Sequence, residues 1–390
     1  MKEWMGTVLA ALKTAVKIQI LARSVRAGQA VSGPVVVAGM FRTASGLGNS
    51  AWSCLLGLRD SGIDAVGVDL SEAFNQVDLA PDPRLVPMPL QPTGTLILHA
   101  NWPETVPALM QLGMRRWHRW RIIGYWAWEL CEEPIGAHEA AKYLSEVWTC
   151  SRFCVDAFSG VSLPVHCVPH RIISPPLDVP SVSQKTCLIM ADGRSSFDRK
   201  NVLAAVRIFE RALGQDQDWK LVVKCRNLDQ DQRATSELKQ HINALERAEL
   251  MTESIPIEDV HRLVAGCDIM LSAHRSEGFG MPLAEAMARG KCVVATGWSG
   301  NLEFMTPVNS VLLPYSLCKV VDGSGVYSGY PNAEWAEVDV VASARLLAEV
   351  AHDTQKRQQI GARAAADIAG KLDGSIYAET LRINARESDR

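Results

Sequence analysis

Short apolar runs punctuated by glycine alternate with amphipathic stretches of helical period along most of this chain. In the first half, runs at 35–39, 65–68, 95–99 and 122–129 predict buried strands, and 146–153 predicts the last strand of that half with its turn. A helical stretch over 49–58 between the first two makes a βαβ unit. In the second half, runs at 186–190, 221–224, 268–272 and 292–295 predict strands, with a helix over 202–213 between the first pair. Such alternation means an α/β fold with parallel sheets. Around residues 169–184, prolines and serines replace periodic apolar positions, which predicts a linker. At 390 residues the chain is long for one core, so two domains are expected. The expected division is an N-terminal helix at 1–30, a first Rossmann-like domain at 31–175, a linker at 176–184, a second Rossmann-like domain at 185–370, and a final helix and tail at 371–390.

The most informative stretch runs from His274 to Glu285, His-Arg-Ser-Glu-Gly-Phe-Gly-Met-Pro-Leu-Ala-Glu. A buried strand gives way there to a glycine-flanked loop, and a helix is predicted to open with Pro282 at its first position. Gly278 and Gly280 let backbone amides face a ligand without Cβ interference, and a helix N-terminus favours an anion such as a diphosphate. Glu277 precedes the loop, and Glu285 is expected in the first helical turn. Carboxylates this close to an anion site make sense if they accept hydroxyl hydrogen bonds from a sugar or ribose. Glu285 also suits the helix dipole without any ligand. A second corner follows, with Gly290 as the helix stop and Gly297-Trp298-Ser299-Gly300-Asn301 as a loop feeding another helix. Two such corners on neighbouring parallel strands make one crevice at a sheet's carboxyl edge.

Composition narrows the class. The chain is 47% hydrophobic and 21% charged with a net charge of −3, and no global basic surplus argues for nucleic acid. Its ten cysteines lie scattered, without a CxxC pair, and read as reduced core thiols of a cytoplasmic protein. No metal-ligand cluster with convincing spacing appears near the loops. Residues 1–27 stand apart. Apolar positions follow helical spacing while Lys2, Lys13, Lys17, Arg23 and Arg26 outnumber the single acid Glu3. This predicts a basic amphipathic helix, suited to an anionic membrane surface on the inner face or to packing against protein. The Arg- and Trp-rich stretch at 114–121 is read as a helix with arginines snorkelling around buried tryptophans, or as a second membrane-surface patch, rather than as a nucleic-acid site.

The Glu-x7-Glu spacing, the Glu277 to Glu285 wording and the downstream Gly297 to Asn301 resemble glycosyltransferase family 4, the retaining sugar transferases of GT-B fold. The similarity extends over roughly 35–383 and includes wording of a bacterial polysaccharide branch at 122–134. It implies two Rossmann-like domains facing across a cleft, with the C-terminal helix crossing back to the first domain. It also implies transfer of a hexose from a nucleotide diphosphate sugar to a glycan or lipid-linked glycan acceptor, without metal or cofactor. By resemblance, Glu277 sits by the donor sugar, the amides of Gly278, Phe279, Gly280 and Met281 meet sugar and phosphate, and Glu285 binds ribose hydroxyls. Ser299, Gly300 and Asn301 belong to the same donor site.

Lys200 and Lys224 are the expected cations for the leaving diphosphate, on a strand-to-helix loop and at a strand end. Arg199 and Arg194 lie close enough to share that role, with Arg199 equally readable as a solvent-facing neighbour. The resemblance also implies a glycine loop at Gly46 and Gly48 that closes over the donor phosphates, although a tight turn needs the same glycines. His99 and Asn101, at a strand end, are candidate acceptor contacts, with a structural hydrogen bond as the plainer reading of the histidine. Trp126, Trp128 and Glu129 are the other acceptor candidates, suited to stacking and hydrogen-bonding a sugar, with core packing as the alternative for at least one tryptophan. A nucleotide-sugar epimerase of the same fold, a non-catalytic glycan or nucleotide-sugar binder, and a scaffold acting through the N-terminal helix are the competing functions.

Overall fold

The computed structural model describes residues 14, 17–18, 33–113, 117–174, 177, 184–228 and 232–388. The basic segment 1–27, apart from Thr14, Lys17 and Ile18, lies outside the described residues, as do most of the linker 176–184 and positions 114–116. The chain forms two units. One holds the chain up to Trp128, Glu133–Arg171 and everything from Gly374; the other holds Glu129–Glu132 and Ile172–Asp373.

In the first unit, β1 (Val35–Gly39), β2 (Ala65–Asp69), β3 (Gly94–His99), β4 (Trp120–Trp126), β5 (Glu146–Thr149) and β6 (Val165–Cys167) form a parallel sheet in the order β2-β1-β3-β4-β5-β6. Strand β6, beyond the strand expected to be last, is three residues long, too short to carry a periodic signal. β1, β3, β4 and β5 are buried on both faces, which explains their unbroken apolar runs. Helix α1 (Gly46–Asp60) starts three residues earlier than expected. Gly46 and Gly48 therefore lie inside its first turn, a correction to the glycine loop predicted ahead of it. A Cβ at Gly48 would run into the Thr43 carbonyl, whereas one at Gly46 would meet open space. The plainer reading thus accounts for Gly48: only glycine lets β1 turn this tightly into α1.

Helices α2 (Trp102–Leu112), α3 (Ala137–Ala141) and α4 (Arg152–Ala157) complete the crossovers. The described part of the Arg/Trp stretch is a 3-10 turn at Trp117–Arg119 leading into β4, with Trp117 and Trp120 packed edge to face in the core at 5.8 Å. Arg121 forms a buried ion pair with Glu146. The C-terminal helix (Ser375–Ser388) belongs to this unit: Tyr377 lies against Gly57 of α1, and its hydroxyl is 3.1 Å from Ser53 Oγ.

In the second unit, β7 (Lys185–Asp192), α5 (Phe197–Lys200), α6 (Val202–Leu213), β8 (Trp219–Arg226), α7 (Gln232–Ala244), β9 (Ala248–Met251), α8 (Ile257–Gly266), β10 (Ile269–Ser272), α9 (Met281–Ala288), β11 (Cys292–Thr296) and β12 (Val311–Leu313) follow one another. The strands form a second parallel sheet in the order β12-β11-β10-β7-β8-β9. An antiparallel hairpin, β13 (Tyr315–Lys319) with β14 (Glu334–Val338), and helices α10 (Val340–His352) and α11 (Thr354–Lys371) complete the unit. Its core centres on the apolar face of α6, where Val206, Ile208 and Phe209 are buried with Leu221, Val223, Ile269 and Leu271 of the strands. From β7 the chain winds outward first through β8 and β9, then on the other side through β10 to β12. The winding direction therefore reverses between β7 and β10, the kind of switch point at which open α/β sheets place their ligands. No helix among the described residues is long and apolar enough to cross a membrane.

Candidate active site

The loop from β7 into α5 contains two backbone outliers that fix its shape. Ser196 has φ +63° and caps α5 by accepting a bond from the Arg199 amide at 3.1 Å. Asn201, in left-handed backbone at φ +48°, ends α5 and opens α6. Arg199 and Lys200 are thereby pinned at the end of a four-residue helix, directed at the neighbouring loop from β10. That loop is braced in return. The Arg275 amide donates to the Arg199 carbonyl at 2.7 Å, and the Arg275 side chain pairs with Glu337 at 2.6 Å. His274 is fully buried, with its ring nitrogens 3.0 Å from Ser272 Oγ and 3.1 Å from Asn301 Oδ1.

Glu277 stands at the meeting point. Its amide donates to Ser299 Oγ at 2.8 Å, and its carbonyl accepts from the Gly300 amide at 2.8 Å. Ser299 holds φ +77° and ψ −152°, a region otherwise left to glycine and costing of order 1–3 kcal/mol. Gly300 has no alternative, since a Cβ there would fall on the Gly278 carbonyl and lie 2.7 Å from that of Glu277. Beyond Glu277, Gly280 adopts φ +86° as the residue before α9. Pro282 has no N–H, and the Leu283 and Ala284 amides donate to the Gly280 carbonyl at 2.9 and 3.2 Å, so of the residues that open α9 the Met281 amide is the one left over for the anion expected at this corner.

The side chains form a compact charge cluster. Lys200 Nζ lies 2.5 Å from Glu277 Oε1, and an Arg199 terminal nitrogen 3.2 Å from Oε2. Burial alone would favour a neutral Glu277, but Lys200 and then Arg199 outweigh it and hold the carboxyl down at about 2. For Lys200 the balance falls the other way: burial dominates and lowers its pKa despite the ion pair. Arg199 donates to the carbonyls of Ser276 at 2.7 Å and Ser195 at 3.0 Å, and its side chain is 3% exposed. This corrects the reading of Arg199 as a solvent-facing neighbour. It is a buried strut, and Lys200, 18% exposed, is the more accessible cation.

Glu285 is the fifth residue of α9. It therefore lies in the second turn, a correction to its expected place in the first, and Pro282 is second rather than first. Burial raises its carboxyl to about 7, and Arg289 opposes this only weakly. The Arg289 terminal nitrogen bonds the backbone carbonyl of Glu285 at 3.2 Å rather than its carboxylate. Phe279 is buried against Phe304 with ring centroids 4.9 Å apart, so its side chain serves packing. Met281 is half-buried at the start of α9.

Other sequence candidates do not join this cluster. Lys224 sits two residues before the end of β8, which runs on to Arg226, and its Nζ donates to the Glu253 carbonyl at 2.5 Å. Arg194 follows Asp192, whose carboxylate accepts from the Arg194 amide, Asn227 and Arg226. In the first unit, His99 and Trp126 are both fully buried. His99 bonds Ser50 at 2.8 Å and stacks on Tyr125 at 4.3 Å, and Trp126 Nε1 donates to Thr105 at 3.2 Å. Their expected acceptor contacts are corrected accordingly, because neither presents surface to a ligand. Asn101 accepts from the Ala127 amide at 2.9 Å, and Trp128 packs edge to face on Trp102 at 5.2 Å.

Glu129, by contrast, clusters with the second unit. Its backbone carbonyl accepts from Ser276 Oγ, and its carboxylate meets Tyr327 at 3.3 Å and Arg199 at 3.9 Å. Tyr327 and Asp322, which accepts from Ser196 at 2.7 Å, were missed from sequence. They lie in the β13–β14 connection, which carries no motif.

Residues 186–317 match the family model described as Glycosyl transferases group 1. This segment contains Arg199, Lys200, Glu277, Glu285 and Ser299 to Asn301. No curated protein matches the chain. Among solved structures, the HepE protein of Anabaena, in complex with UDP and glucose, is 16% identical, with coverage of 91% of this chain and 100% of the other and a TM-score of 0.63. Sucrose-phosphate synthase of Thermosynechococcus elongatus is 11% identical over 91% of this chain and 99% of its own, with a TM-score of 0.62. The trehalose 6-phosphate synthase of Burkholderia multivorans is 12% identical over 91% and 98%, with a TM-score of 0.59. At these identities the likenesses show the fold, the two-sheet α/β architecture of GT-B proteins.

Proposed function

We propose that the chain is a retaining, metal-independent glycosyltransferase of family 4, moving a hexose from a nucleoside diphosphate sugar to a glycan or lipid-linked glycan in bacterial polysaccharide biosynthesis. The observation that carries this reading is the Glu277 carboxylate clasped by Lys200 and Arg199 where the second sheet reverses its winding, beside the glycine-flanked loop that leads into α9. The family match over 186–317 supports it, as do structural neighbours crystallised with UDP and glucose.

In this reading the diphosphate lies against the amides of the 278–281 loop and draws Lys200 partly away from Glu277. Negative charge growing on the leaving phosphate, as the bond to C1 of the sugar breaks, is met by Lys200 and those amides. Glu277, kept ionised, accepts hydrogen bonds from sugar hydroxyls and fixes the ring. The departing phosphate takes the proton of the incoming acceptor hydroxyl, so no separate side-chain base is invoked. Glu285 takes the ribose hydroxyls. The protein works in the cytoplasm, with the basic segment 1–27 meeting the inner membrane face where a lipid-linked acceptor resides.

The test is nucleoside diphosphate release from a panel of nucleotide sugars, with and without glycan acceptors, for native protein and Glu277→Ala. Acceptor-dependent release that Glu277→Ala abolishes is expected. Undiminished release in that variant refutes the role of Glu277. Epimerised donor without net nucleotide release favours the epimerase, and donor binding without turnover favours the binder.

A further inference from the structure

The cluster contains two cations, Arg199 and Lys200, and two carboxylates, the buried Glu277 and the half-buried Glu129. Lys200 and Glu277 satisfy one another. Arg199 is shared: one terminal nitrogen faces Glu277 at 3.2 Å, and the other faces Glu129 at 3.9 Å. Glu129 is placed there from several directions. Ser276, the residue before Glu277, donates to its backbone carbonyl, and the Tyr327 hydroxyl donates to its carboxylate at 3.3 Å. Tyr327 is 4% exposed, with its amide bonded to Asp322 at 3.2 Å. Asp322 in turn holds Ser196 at 2.7 Å, and the Gly323 amide holds Asp198 at 2.7 Å. The β13–β14 connection is thus bolted to the loop that delivers Arg199.

We propose that Glu129 is the counter-charge of Arg199, held by Tyr327, and that it weakens the grip of the second unit on a nucleoside diphosphate so that the product can leave. This rests on the donor-site reading above and reassigns Glu129 from acceptor contact to donor side. Its physical basis is charge balance. With Glu129 ionised, the four formal charges cancel, and an arriving diphosphate gains little from the cluster as a whole. With Glu129 neutral, one positive charge is left over in a partly buried site, where a unit charge several ångströms away acts strongly.

The experiment is calorimetric titration of the full chain with UDP, GDP and ADP, comparing native protein with Glu129→Gln, Glu129→Asp and Tyr327→Phe. Glu129→Gln should bind the preferred nucleotide about tenfold more tightly, the size expected of one screened unit charge. Glu129→Asp, which keeps the charge, should stay within about twofold of native protein. Tyr327→Phe unties the carboxylate without neutralising it and should tighten binding by about twofold, which keeps the test decisive if Glu129→Gln does not fold. Unchanged or weaker nucleotide binding in folded Glu129→Gln overturns the inference, most clearly if the acceptor KM rises instead, and leaves the proposed function standing. Native protein that binds none of the three nucleotides overturns the donor-site reading, and this inference with it.

Discussion

Glu285 offers the most demanding test of the site's electrostatics, because burial raises its carboxyl from 4.5 to about 7 while no cation bonds it directly. For an acid whose folded pKa lies above its unfolded value, the folded state binds the proton more tightly. Stability is then unaffected below about pH 4.5 and falls as pH rises toward 7, where the folded carboxyl is forced to ionise. A rise of 7 − 4.5, at about 1.4 kcal/mol per pH unit, puts the full penalty at about 3.5 kcal/mol, which partial exposure of the group brings nearer about 3 kcal/mol.

Glu285→Gln replaces the carboxyl with a neutral group of the same shape. The variant should match native protein at pH 5 and exceed it by up to about 3 kcal/mol at pH 8. For a unit of this size that is as much as about 10 °C in the transition of the second unit. Thermal unfolding without nucleotide at pH 5, 6, 7 and 8 reads the difference directly. An equal shift at all four values, or a variant less stable at pH 8, would refute the reasoning. A residue that costs stability until a ligand arrives is what a binding site tolerates, so the same variant should also bind nucleoside diphosphate more weakly.

Lys200→Ala should lower turnover strongly while leaving Glu277 ionised by Arg199 at neutral pH, so a pH-rate profile should show no new acid limb above pH 5. Gly300→Ala forces the 277–278 backbone to move; it should cost roughly 1–3 kcal/mol and abolish nucleotide binding, read by thermal unfolding and calorimetry together. Glu277→Gln should lose its stability difference from native protein as pH falls from 4.5 toward about 2, the window of its depressed pKa, measurable by urea unfolding between pH 6 and 3.5. In the first unit, Arg121→Ala leaves the buried Glu146 carboxylate with His166, 3.3 Å away, as its remaining ion partner, and should cost less than an uncompensated buried charge, which costs about 3–5 kcal/mol, visible as a lowered unfolding midpoint.

The amino-acid sequence by itself determined what depends on neighbours within about ten residues. The strands β1, β3, β7, β10 and β11 were legible because unbroken apolar runs ending in glycine or polar residues have few other solutions. The corner at Glu277 to Gly280 was legible because glycines break an apolar run there, and Gly280 takes the left-handed backbone that favours glycine. What only the tertiary structure decided was which charges meet. Arg199 and Glu277 are 78 positions apart in the chain, and they face each other because β10 lies beside β7 while the intervening strands wind away on the other side. Nothing in a strand-to-helix loop announces that its arginine is buried between two carbonyls, that Glu129 belongs with the donor cluster, or that His99 and Trp126 point into a core. Those facts follow from packing, where burial and charge pairing are settled jointly by residues distant in sequence.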